Sequence, residues 1–141
     1  MTAKSRFYSI LDKKYIYMNK MEFRRQILTN GVGYGNMSES IISGNINNMC
    51  HYCGCYVEVP HKHHIFGAAN RRWSEKYGLW VWLCPKHHNM SNNSVHHNAE
   101  MMEHYHYLGQ TAFEKKFIDE HQATQEQARA EFMKIFGRNY L

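Results

Sequence analysis

All four cysteines and eight of the eleven histidines of this 141-residue chain fall between Cys50 and His97. Cys50-x-x-Cys53 and Cys84-x-x-His87 form two half-sites. Two ligands three apart in a tight turn both point inward, so each half can grip one side of a tetrahedral zinc ion. Cys55 could replace Cys53, but Gly54 directly after Cys53 favours Cys53 as the turn ligand. Three cysteines crowded together, with the fourth beside histidines, argue for metal rather than two disulfides. Such a zinc would pin the start of a hairpin to the start of a helix and add folding free energy without chemistry. The doubled histidines His63-His64, His87-His88 and His96-His97 supply further imidazoles. Near neutral pH an imidazole can hold a second metal or take a proton.

The elements that must position these groups are short. Tyr56–Val59 reads as a strand ended or confined to an edge by Pro60. His63–Phe66 reads as a second extended piece, and Arg71-Arg72-Trp73 as part of a loop. Ser74–Tyr77 suits a helical turn stopped by Gly78, and Leu79–Leu83 a strand of large residues. Pro85 suits the first position of a helix carrying His87, His88 and Asn92. The centre therefore reads strand, loop, strand, helix, an α+β pattern. Beyond it, Ser94 can cap a helix over Val95–Leu108 ended by Gly109, with more helix over Ala112–Ile118. Thr124 and Gln127 make a capping box for a last helix that Gly137 stops. Trp80 and Trp82 are expected in the core. His61, His104, His106 and His121 are expected to be solvated.

Residues 1–30 hold seven lysines and arginines against Asp12 and Glu22. They contain β-rich runs over 7–18, suited to a hairpin, and helical turns over 21–28. Residues 29–48 are rich in glycine and asparagine and read as a loose linker. No Lys-Ser/Thr pair follows the glycines, which excludes a phosphate-cradling loop of that type. The division is thus a basic segment and linker over 1–48 and a domain over 49–141. The whole chain has 17 Lys+Arg against 12 Asp+Glu, a formal charge of +5, which fits a polyanionic partner. No apolar run reaches the ~18 residues of a membrane span. The N-terminus lacks the apolar core of a signal peptide, so the expected location is inside the cell, where thiols stay reduced.

His63-His64-Ile65 followed by Leu83-Cys84-Pro85-Lys86-His87-His88 resembles the zinc-containing HNH endonucleases, members of the ββα-metal or His-Me finger group. The longer run through Gly67 and Ser74–Leu79 is similar to small HNH proteins encoded in phages and prophages. The resemblance covers about 49–141, with the tail Phe136–Leu141, and none of 1–48. It implies a ββα-metal core stapled by a zinc knuckle and followed by C-terminal helices. It implies a DNA endonuclease, acting on double-stranded DNA in the cytoplasm of a bacterial host. His63 and His88 would then bind a catalytic divalent metal (magnesium, manganese, nickel or zinc), and His64 would be the general base. The spacing of His63 and His88 is similar to that in colicin-type DNases, whose further ligand would fall at Asn92. His96 or His97 takes that place if the helix ends early.

Two positions depart from the family. Leu79 stands where the middle Asn should orient the base, which leaves a backbone carbonyl or Asn70 to do so. His63 stands where many relatives have Asp, so manganese, nickel or zinc should be accepted more readily than in an all-oxygen site. The chemistry asks for such groups in any case: phosphodiester hydrolysis needs a base for water and a cation for the leaving oxygen. Arg71 and Arg72 would bind phosphate, and Trp73 would stack on a sugar or base or else sit in the core. The competing expectation is an inactive, zinc-stabilised nucleic-acid-binding module.

Overall fold

A computed structural model describes residues 38–141. The hairpin expected over 7–18, the helical turns over 21–28 and the first part of the linker lie outside these residues. Contacts divide the chain into two units, Met1–Gly35 and Asn36–Leu141.

The described residues form a mixed α+β fold. Strand β1 (His61–His64) leads through a single 3-10 turn (Ala68–Asn70) into helix α1 (Arg71–Tyr77). Strand β2 (Trp80–Leu83), the four-residue helix α2 (Pro85–His88), and helices α3 (Ala99–His121) and α4 (Gln125–Phe136) follow. The strands pair antiparallel, with His63 opposite Val81 and His64 opposite Trp80. Side chains alternate along a strand, so His61 and His63 share the face of Val81 and Leu83. Lys62 and His64 share the opposite face with Trp80 and Trp82.

The ends of these elements follow their sequence. Gly78 closes α1 in the left-handed region at φ 69°, and a side chain there would run into the Glu39 carbonyl. Pro85 opens α2. Thr124 and Gln127 make the full reciprocal capping box of α4, and Gly137 ends it in the left-handed region. Four expectations fail. Tyr56 makes only an isolated bridge to Met49, and no strand forms over Tyr56–Val59. The Asn48 side-chain amide takes the Val57 and Glu58 carbonyls at 3.0 and 3.1 Å, so these groups have no need of a neighbouring strand. The extended piece after Pro60 runs over His61–His64, not His63–Phe66. Gly109 does not end a helix. It lies inside α3, where an added Cβ would come within 2.7 Å of Ile65 and 2.9 Å of Phe66. The cap of α3 is Asn98, whose side chain accepts from the Met101 N–H, not Ser94.

The core joins Ile65, Phe66, Leu79, Val81 and Leu83 to Tyr105, Phe113, Phe132 and Phe136 of α3 and α4. Trp80 is buried, as expected, whereas Trp82 is only half-buried and does not join the core. Buried Glu114 is held by Gln110, Gln125 and Arg129. The described part of the expected linker, 38–48, is fastened to β2. Ser40 Oγ donates to the Trp80 carbonyl, Trp80 Nε1 to the Ser38 carbonyl, and the Trp82 N–H to Asn45 Oδ1. No helix among the described residues is long and apolar enough to cross a membrane.

Candidate functional site

The knuckle residues come together. The ligand atoms of Cys50, Cys53, Cys84 and His87 lie within 4.8 Å of one another. Gly54, at φ 70°, lets the turn close with its N–H on the Cys50 carbonyl at 2.7 Å. The second half-site forms because Pro85 starts α2 directly after Cys84, which brings His87 Nδ1 3.1 Å from Cys84 Sγ. The His51 N–H reaches the Trp82 carbonyl at 2.8 Å and fixes the knuckle to β2. Cys50, Cys84 and His87 are buried, Cys53 and Cys55 exposed. Cys55 Sγ lies 3.0 Å from Cys53 Sγ but outside the four-residue cluster.

Burial pushes the Cys50 thiol up, but the backbone groups of Cys53, Cys84 and Tyr52 outweigh it and bring it below the usual range. Burial first, and then Cys55, push Cys53 up to about 11. Three sulfurs and one imidazole at these separations could hold a metal such as zinc, whose bonds to sulfur are roughly 2.3 Å and to nitrogen 2.0–2.1 Å.

A second cluster gathers His63, His88 and His96, again with ligand atoms within 4.8 Å. Helix α2 stops at His88, so Asn92 lies beyond it in an exposed turn rather than on its face. The chain then folds back, with the Val95 N–H on the His87 carbonyl at 2.8 Å. That return brings His96 Nε2 3.2 Å from His88 Nε2. His97 turns away and bonds Ser94 Oγ at 2.8 Å. Burial, and then the neighbouring His88 and His96, hold His63 down to about 3. Burial, then His96 and His61, hold His88 at about 4. Both imidazoles are therefore neutral at pH 7, the state a metal ligand needs.

His64 faces the other side of the sheet. Its Nε2 lies 2.6 Å from Glu75 Oε2, and Lys62 Nζ lies 2.7 Å from the same oxygen. Asn70, one of the two expected orienters, is engaged elsewhere: its Nδ2 donates to the Phe136 carbonyl at 3.1 Å. Burial holds His64 below its ordinary pKa; Glu75 raises it, and Arg71 and Lys62 lower it. With Nε2–H donated to a carboxylate, a neutral His64 keeps its lone pair on Nδ1. An open cleft of about 640 Å³ on this face is lined by Lys62, His64, Arg71, Arg72 and Glu75. Arg71 and Arg72 stand on helix α1, not in a loop, because the 3-10 turn absorbs the loop before them. Arg72 lies 4.7 Å from the centre of the half-buried Trp73 ring, which packs against the core.

Sequence reasoning missed Glu75, His61 and Tyr105. Of the four histidines expected to be solvated, His61 and His106 are half-buried. His61 Nδ1 lies 3.0 Å from His88 Nδ1, and His106 stacks on Phe66. The period of two from His63 to His61 carried the signal for His61. Nothing local in the sequence pairs Glu75 with His64. Buried Tyr105 ties the histidine cluster to the knuckle turn: its hydroxyl lies 3.1 Å from Nδ1 of His51, the residue after Cys50, and its ring packs edge-on against His63. Compared with known proteins, the chain matches no family model, no curated protein and no solved structure.

Proposed function

We propose that this chain is a metal-dependent endonuclease that hydrolyses DNA phosphodiester bonds, built on a ββα-metal core with a structural zinc. The observation that carries this reading is the convergence of His63, His88 and His96, with His64, the next residue along β1, already fixed by a carboxylate on the other face. A divalent ion on the three imidazoles would supply positive charge to the departing 3′ oxygen. His64 Nδ1 would take the proton from the attacking water, and Glu75 would hold the ring and steady the imidazolium that forms. Lys62, Arg71 and Arg72 would hold backbone phosphates of double-stranded DNA along the cleft. Cys50, Cys53, Cys84 and His87 would hold zinc and take no part in the chemistry.

Plasmid cleavage by purified chain, after chelation and re-addition of magnesium, manganese, nickel or zinc, tests the reading. Nicked and linear products with 5′-phosphate ends are expected with at least one metal. Intact plasmid with all four would overturn it. One observation favours the second reading, an inactive nucleic-acid-binding module: strand alternation sends His63 and His64 to opposite faces of the sheet. Salt-sensitive DNA binding without cleavage is the outcome that would select it.

A further inference from the structure

His61 stands two residues before His63 on the same face of β1. Its ring meets that of His88 edge-on, with centroids 5.1 Å apart at 84°. The contact joins His61 Nδ1 to His88 Nδ1 at 3.0 Å. On the other side of the His88 ring, Nε2 lies 3.2 Å from His96 Nε2. Two nitrogens bound tetrahedrally to one ion at roughly 2.0–2.1 Å stand roughly 3.3 Å apart. The Nε2 atoms of His88 and His96 are therefore already spaced as ligands of one ion.

A neutral imidazole carries one proton, and which nitrogen bears it is set by the partner of the other. For His88 Nε2 to offer a lone pair, the proton must sit on Nδ1, and Nδ1 must donate. Its hydrogen-bond partner among the described residues is His61 Nδ1. A carboxylate or a backbone carbonyl usually takes that role behind a metal-bound histidine. Here no acidic residue joins the histidine cluster among the described residues.

We propose that His61 is a positioning residue: through its Nδ1 acceptor it fixes the tautomer and ring angle of His88 and so sets the metal affinity of the His63–His88–His96 centre. The proposal rests on the reading of those three histidines as a metal centre. It does not rest on nuclease activity. Two consequences follow from the geometry. His61 must carry its own proton on Nε2, away from His88. A side chain that restores only an acceptor near that place should restore affinity, because the imidazole of His61 makes no bond to the ion.

The test is cobalt binding to full-length chain whose cysteine site is already filled with zinc. The d–d absorption of the new site is followed without a thiolate charge-transfer band. Wild type should bind one cobalt, and His96→Ala should lose it. His61→Leu should bind 10–100-fold more weakly, the usual cost of losing a partner behind a ligating histidine. His61→Asn, whose Oδ1 can accept near the place of Nδ1, should return to within a few-fold of wild type. Zinc content and far-UV circular dichroism should be unchanged in both variants. Equal affinity for wild type and His61→Leu would overturn the role of His61 alone. So would a His61→Asn variant as weak as His61→Leu. A wild type with no second cobalt would overturn the metal centre, and this proposal with it. If His61→Leu fails to fold, the wild-type and His61→Asn affinities decide: a loss of 10-fold or more in His61→Asn would overturn the acceptor role.

Discussion

Opposing influences act on the His64 ring. Burial, Arg71 and Lys62 favour its neutral form, and Glu75 favours the imidazolium. If His64 is the general base, His64→Ala should cut DNA at least ~100-fold more slowly, since a positioned base contributes typically 10²–10⁴-fold. Metal binding should persist in that variant, because the proposed ligands are His63, His88 and His96. Glu75→Gln should have a different signature. Glu75 raises the His64 pKa, so its loss should move the acidic limb of the pH–rate profile to lower pH while the plateau falls. An unmoved limb would dissociate Glu75 from the base. Acid stability gives a test without substrate. His63 and His88 titrate near 3 and 4 in the fold and near 6.5 when unfolded. The folded state thus binds fewer protons, and the stability this represents is present above about pH 6.5. It is lost as pH falls towards 4 and then 3. The urea midpoint of protein that holds zinc at its cysteine site and no metal at the histidines should fall steadily from pH 7 to 5, and His63→Gln should flatten the fall. The knuckle ligands were legible in the sequence because Cys-x-x-Cys and Cys-x-x-His are local geometry. His96 stood there only as one of three alternatives, because its place depends on a chain reversal after His88. Glu75 was invisible because its partner lies on another element.

Helix α2 holds only four residues, yet His87 serves one cluster and His88 the other. Its early stop decides the second cluster, because one more helical turn would have presented Asn92 instead of His96. The boundaries that could be read in advance are those with side-chain or glycine caps: Gly78, Pro85, the Thr124–Gln127 box and Gly137. Those that misled are glycines and β-branched residues whose role is tertiary. Gly109 has the sequence signal of a helix end, but its lack of a side chain serves the approach of α3 to Ile65 and Phe66. Gly109→Ala puts two effects in competition. Helix propensity gains about 1 kcal/mol. Overpacking a closed core costs about 1–3 kcal/mol. Ile65 and Phe66 are both buried, and the Phe66 N–H and carbonyl are both tied to Ser74 Oγ, so the neighbours have little room to give. The overpacking term should win, with a lower urea midpoint for Gly109→Ala than for wild type. A raised midpoint would show that the segment after β1 yields easily.

At the scale of the whole molecule, the two clusters share a frame: α2 gives each a histidine, and Tyr105, packed on His63, also meets His51 of the knuckle turn. Cys84→Ser should therefore do more than remove a ligand. Structural zinc contributes on the order of 10 kcal/mol or more to such folds. Loss of that ligand should unfold the centre and abolish metal binding at His63, His88 and His96 together. The extent of the folded unit gives the last prediction. The sequence placed its start at residue 49, because the first metal ligand stands at Cys50 and the preceding glycines and asparagines suggest a linker. Residues 38–48 nevertheless supply hydrogen bonds to β2 at Trp80 and Trp82, and Ile42 is buried in the core. The Ile41 N–H also takes the Gly78 carbonyl at 2.8 Å, just before the strand begins. Four such bonds lost at once, each worth about 0.5–1.5 kcal/mol net, are a large part of the 5–15 kcal/mol that typically holds a domain. A chain starting at residue 38 should keep the wild-type urea midpoint of the cooperative transition. A chain starting at residue 49 should lose several kcal/mol or fail to fold. The shorter truncation removes the basic residues of 1–30, so DNA binding should weaken and its log–log salt slope should flatten, while cleavage persists at low salt. Equal stability of the two truncations would return the boundary to residue 49. An unchanged salt slope would remove the basic segment from the DNA interface.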